Sequence, residues 1–492
     1  MREYSPKRRT ALVLTGTGTS GAYHAGVLKA LDESGVKIDV VVGSGVGTVG
    51  AAFAAAAGGP RLYGADGFWD GAGWDDLYRL RPALRTAILL LACSFGVFLL
   101  PVILALLGGV LFLPLALADV AMPGLTARLT AAISSVPGAL RAPYLVALSL
   151  PIFMLCALAF LWLLRMALRD RRRIPESLEA VLDPGVGERR LGKGLWEIAR
   201  GSAISSFPTS EAEIGRKYVS LVAENLGQPG FRELILRTAD LDTGGVVPFV
   251  LLGDVHRAAF ADARSRGPRS RLEGIPGAVD LRTPGYDTLL FDAAVTGLLP
   301  PGAAPVRRVA FPRGGIFAGE MHRLTDAALA GGCGISEAVA AGADQVVVVT
   351  AAPAIATASP RRRGPRALAD GLLSTLERSA VDGGIRAAER INRMVETLGH
   401  RIEDGGHGWQ DPNNGRLYRD ISLYVIRPDR RVLGTLEWDG GEDPATEVLE
   451  MPEDLAELGY RDAYRLFVEP VVGAFAEPQP RAAAEDRQAV EL

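Results

Sequence analysis

Cysteine is scarce in this chain of 492 residues, with only Cys93, Cys156 and Cys333. The first two lie in apolar runs and the third in a glycine cluster, so neither a disulfide framework nor a zinc spacing exists, which fits a reducing compartment. The five histidines, His24, His256, His322, His400 and His407, are mostly far apart. They give a metal site little support, and no metal and no cofactor are predicted. Neither sign of charge dominates: 53 Lys and Arg stand against 56 Asp and Glu, a net charge of −3. That balance excludes a general affinity for nucleic acid. Residues 1–10 lack the apolar core of a signal peptide, so the N-terminal part is expected to stay in the cytoplasm. No internal repeat is found.

What the chain does have is an ordered pattern between Ala11 and Ala51. The apolar run Ala11–Leu14 breaks into the glycine turn Gly16, Thr17, Gly18, Thr19, Ser20, Gly21, and apolar residues then recur at Ala22, Val27, Leu28 and Leu31. This reads as strand, tight turn and helix. Gly35 closes the helix, Ile38–Val42 is a second strand, and a second glycine turn, Gly43, Ser44, Gly45, Val46, Gly47, opens another helix of small residues. The β-turn-α-β-turn-α order predicts a parallel sheet covered on both faces. Both turns would aim backbone N–H groups into one crevice, where an anion or developing oxyanion is the natural guest. A dinucleotide fingerprint is a poor alternative, because Asp39 stands at the start of the second strand and not at its end.

The segment resembles the start of a patatin-like phospholipase domain. Gly16–Gly21 sits where that family has its oxyanion loop, and Gly21–Leu31 matches the helix that follows it. Two residues depart from the pattern: Ser20 replaces a basic residue, and Gly45 stands where the family's G-x-S-x-G elbow has its nucleophilic serine. Gly43 and Gly47 keep the elbow's glycines. Further along, Asp240–Phe249 resembles the family's D-L-x-T-G hairpin, and Asp326 falls where an aspartate completes a Ser-Asp dyad. The G-Y-R-D-A phrase Gly459–Ala463 often ends such chains. The resemblance implies a three-layer α/β/α domain with a mostly parallel sheet, and membrane phospholipid or another acyl ester as the guest.

Two runs interrupt this domain: Thr86–Ala118 and Ala142–Leu164 contain no charged residue. At 1.5 Å per residue the second spans about 35 Å, enough to cross a hydrocarbon core of about 30 Å. Pro101, Gly108, Gly109 and Pro114 suggest that the first is kinked or broken in two. Arg79, Arg81 and Arg85 precede the runs, and Arg165, Arg169, Arg171, Arg172 and Arg173 follow them. That charge pattern puts both outer ends in the cytoplasm. The expectation is a two-helix transmembrane hairpin over residues 81–175, inserted between the two parts of the patatin-like domain, residues 1–80 and 176–475, with a disordered tail at 476–492. It makes the chain a multi-pass protein of the cytoplasmic (inner) membrane, with its patatin-like domain in the cytoplasm. The aromatic stretch Tyr63–Leu80, with Phe68, Trp69, Trp74 and Tyr78, is either an interfacial belt or a loop packed on the core.

Two functions fit these residues. One is a non-catalytic, lipid-binding or regulatory protein of lipid metabolism that keeps the oxyanion loop but lacks the serine, a pseudoenzyme. The other is a lipid acyl hydrolase with a displaced nucleophile, Ser44 acting with Asp326. Whether the chain is an enzyme stays open at this point, and no protein partner is indicated.

Overall fold

The computed structural model describes residues 4–64, 67–70, 77–81, 182–203, 206–257, 278–313, 319–353, 365–401, 407–410, 417–429 and 452–473, with isolated residues between them. The chain divides into two units, residues 1–79 with 182–492, and residues 80–181. The first leaves off and resumes at one place, since the Gly187 N–H donates to the Leu77 carbonyl at 3.2 Å. The two apolar runs and the 476–492 tail fall almost entirely outside the described residues. Among the described residues no helix is long and apolar enough to cross a membrane.

The first unit is built on a mixed, mostly parallel sheet. From one edge the order is Ser422–Ile426, Gln345–Thr350, β1 (Thr10–Gly16), β2 (Val40–Gly45), Glu233–Asp240, Gly245–Leu251 and Val279–Asp280. The first five strands run parallel. Glu233–Asp240 then turns back into Gly245–Leu251 as an antiparallel hairpin. Met321–Asp326 also pairs with Glu233–Asp240, setting Asp326 opposite Thr238. Alternation along each strand divides the core: Leu12, Leu14 and Val41 face one buried cluster, Ala11, Val13, Val40 and Val42 the other. This agrees with the expected α/β class.

The helices α1 (Gly21–Glu33) and α2 (Gly47–Ala54) follow the two glycine turns directly. Both are almost wholly buried and rich in small residues, so they lie close to the sheet. On the other face pack Ile335–Ala340 and the long helix Pro365–Leu398. A helix of 16 residues runs from Gly185 to Arg200. Its glycines read as breakers, but Gly192 and Gly194 sit against Phe291 and Phe53, and packing outweighs propensity. Phe68, Trp69 and Tyr78 are buried, so these three belong to a core-packed loop and not to an interfacial belt. Trp74 lies outside the described residues.

Candidate active site

β1 and β2 are paired in register with Gly16 beside Gly45, so both glycine turns open from neighbouring strand ends. At the first, Gly18–Ser20 forms a single 3-10 turn. The Ser20 hydroxyl donates to the Thr17 carbonyl at 2.8 Å, and the backbone of the expected oxyanion loop folds back on itself. At the second, Gly45 has φ of +62°, the left-handed conformation of a sharp strand-to-helix elbow. The turn is therefore kept although the serine is gone. Gly43 and Gly47 hold it closed: a side chain on either would meet the backbone of Thr48 or Leu14.

In a serine elbow, the N–H following the nucleophile is an oxyanion donor. Here the Val46 N–H donates to the Gly16 carbonyl at 2.8 Å. That same carbonyl oxygen occupies the space a Cβ on Gly45 would need; the added atom would also lie 2.6 Å from Asp326 Oδ1 and 2.7 Å from Ala328 Cβ. The elbow is closed by its neighbouring strand, with no gap of serine shape.

Asp326 ends its strand directly beside this closure. Its Oδ1 accepts the Ala328 N–H at 2.6 Å, while Oδ2 is buried without a protein partner. Burial pushes its carboxyl well above the usual carboxylate range, and the charge of Glu377 pushes the same way, against the Ala328 hydrogen bond. Glu377 is itself raised, by desolvation, to about 7. The Tyr78 hydroxyl, also buried and without a partner, is raised first by burial and then by the Asp326 charge.

Ser44 lies in a different environment. It is fully buried, and its Oγ accepts from Arg237 Nη1 at 3.1 Å. Arg237 is 2% exposed, donates to the Gly331 and Gly332 carbonyls at 2.8 Å each, and reaches Glu337 Oε1 with Nε at 3.2 Å. Ser44 therefore faces a guanidinium, and Asp326 faces Gly45. The Thr48 hydroxyl donates to the Gly45 and Ala294 carbonyls, which makes it a brace of the elbow. His24 is buried with Nε2 on the Thr15 carbonyl at 3.1 Å, and desolvation lowers it to about 4, so it is neutral.

The sequence reading gave metal ions little support, yet Asp240, Asp242 and His322 converge with ligand atoms within 4.8 Å of one another. The hairpin and the Met321–Asp326 strand bring them together from distant sequence positions. Each has a protein partner: His322 Nδ1 and Thr243 Oγ1 both bond Asp240 Oδ2, and Asp242 accepts from Arg323. The group is satisfied as a hydrogen-bonded clasp.

The residues missed from sequence are Val46, Tyr78, Arg237 and Glu377. Val46 acts through its backbone alone, which no side-chain pattern reports. For Glu377 a signal existed: it lies four residues before Val381, on the stripe that continues to the buried Ala388, while Leu372 and Leu376 are exposed.

A family model for patatin-like phospholipase matches residues 12–122. No curated protein matches the chain. Among solved structures, VipD from Legionella pneumophila aligns at 13% identity and a TM-score of 0.32, covering 94% of this chain and 67% of that one, a likeness too low to carry an argument. The matched segment contains β1 from Leu12 onward, both glycine turns and Gly45, and through it the chain is similar to the patatin-like phospholipases.

Proposed function

We propose that this chain binds an acyl lipid at the junction of its two glycine turns without serine hydrolase chemistry. The observation that carries this reading is the Val46 N–H bonded to the Gly16 carbonyl, which spends the elbow's donor and fills the nucleophile's place. Family similarity supports lipid as the guest. The two uncharged runs and their arginine flanks support a hairpin in the cytoplasmic membrane that holds the domain, on the cytoplasmic side, close to its ligand. Phospholipid is one such lipid, and the role is then one of binding or regulation in lipid metabolism.

The alternative, hydrolysis by Ser44 with Asp326, draws on the Arg237 guanidinium, which stabilises an alkoxide. Against it, the base and the hydroxyl point into separate surroundings, Ser44 toward the Arg237 guanidinium and Asp326 toward Gly45. A fluorophosphonate probe separates the two readings. The purified full-length protein in nonionic detergent is expected to take no label. Gly45→Ser is also expected to stay unlabelled, and to lose about 1–3 kcal/mol from overpacking, because its Cβ meets backbone and the left-handed φ disfavours a side chain. Labelling of the parent that disappears in Ser44→Ala would overturn the proposal.

A further inference from the structure

Glycine turns at helix N-termini favour anions, but the side chains around this junction do not. Asp326 arrives on a sheet strand and Glu377 on the long helix Pro365–Leu398. Glu377 Oε1 lies 3.6 Å from the place of a Cβ on Gly16, and Asp326 Oδ1 2.6 Å from that on Gly45. Gly16 and Gly45 are register partners, so two carboxyl groups separated by some fifty residues of sequence flank one junction, close enough for the charge of Glu377 to act on Asp326. Glu377 is 7% exposed and Asp326 2%. Among the described residues neither carboxyl has a basic partner at this point, and burial raises both above the usual carboxylate range. Beside them, Asp326 Oδ2 and the Tyr78 hydroxyl are buried polar atoms without protein partners. Such atoms are costly unless a guest completes their hydrogen bonds.

We propose that Glu377 is a specificity-determining residue: with Asp326 it selects, at the Gly16–Gly45 junction, a lipid whose polar end is uncharged and hydroxyl-bearing over one that presents an anion there. A hydroxyl both donates to Asp326 Oδ2 and accepts from the Tyr78 phenol or a protonated carboxyl. At pH 8, above the value of about 7 for Glu377, a phosphate or carboxylate at the same spot meets the Glu377 carboxylate where little water screens it, and an uncharged hydroxyl does not. This inference rests on the lipid-binding reading and adds to it the class of lipid.

The test uses full-length protein in nonionic detergent and two radiolabelled probes that differ by one phosphate group, monooleoylglycerol and monooleoylglycerol phosphate, at pH 8. The parent is expected to bind the neutral lipid at least tenfold more tightly. Glu377→Gln is expected to narrow that ratio at least tenfold, and Asp326→Asn, tested in parallel, to narrow it as well. Equal or tighter binding of the phosphate by the parent, or a ratio unmoved in both variants, overturns the inference while leaving lipid binding intact. Retention of neither probe by the parent removes the lipid-binding reading itself.

Discussion

Arg237→Ala is expected to destabilise the first unit by about 3–5 kcal/mol, the cost of breaking a buried ion pair and leaving one charge behind. The guanidinium ties three elements together. It donates to Ser44 on β2, to the Gly331 and Gly332 carbonyls of the loop after Asp326, and to Glu337 on the Ile335–Ala340 helix. Glu337 is 1% exposed, so removal of the arginine strands a carboxylate in the core together with unpaired carbonyls. Lysine is no substitute, because one ammonium cannot reproduce the planar fork that serves several acceptors at once. Chemical denaturation of the parent, Arg237→Ala and the double variant Arg237→Met with Glu337→Leu checks the assignment. The double variant is expected to recover most of the loss, since it removes both charges together. A single-variant loss below about 1 kcal/mol would mean that the pair does not hold the fold.

Glu377→Gln is expected to flatten the pH dependence of stability above pH 4.5. Burial raises this carboxyl from 4.5 to about 7 in the folded chain, so the folded state keeps a proton that the unfolded state releases. Stability from this group is present below 4.5, falls as pH rises through about 7, and changes no further above that. The loss amounts to about 3 kcal/mol. Glutamine keeps the shape and never ionises, so at pH 8 the variant should be the more stable protein. Asp326 is shifted in the same direction and leaves a residual slope in the variant. Thermal midpoints across pH 4–8 for both proteins decide the matter; identical slopes would place Glu377 in water and remove it from the site.

The parts of the fold visible in sequence are those where local pattern and tertiary role coincide. Ala11–Leu14 and Gln345–Thr350 are short apolar runs ended by turn residues, and both are central parallel strands. The Asp240–Phe249 stretch carries its own turn chemistry, and the hairpin is there. Gly45 could be identified as an elbow position from its flanking glycines, and its φ of +62° agrees. The remainder depends on groups that act against type. Arg237 sits in the strand Glu233–Asp240, where a lone charge suggests an exposed edge, yet five carbonyl, hydroxyl and carboxylate partners keep it in the core. Glu377 belongs to an amphipathic helix on which Arg386, Glu389, Arg390 and Arg393 are exposed, and only its approach to Gly16 reveals its role. Closure of the elbow depends on one backbone hydrogen bond between Val46 and Gly16, and either residue could have made another.

The central claim, binding without attack, is tested most directly by measuring bound lipid and released fatty acid in the same sample. Purified full-length protein in nonionic detergent is incubated with acyl-labelled monooleoylglycerol, and both quantities are followed over hours. The account predicts saturable, stoichiometric retention of intact lipid, with fatty acid no higher than in buffer. Fatty acid release that scales with protein and is lost in Asp326→Asn would contradict it, and would return this chain to the hydrolases it is similar to.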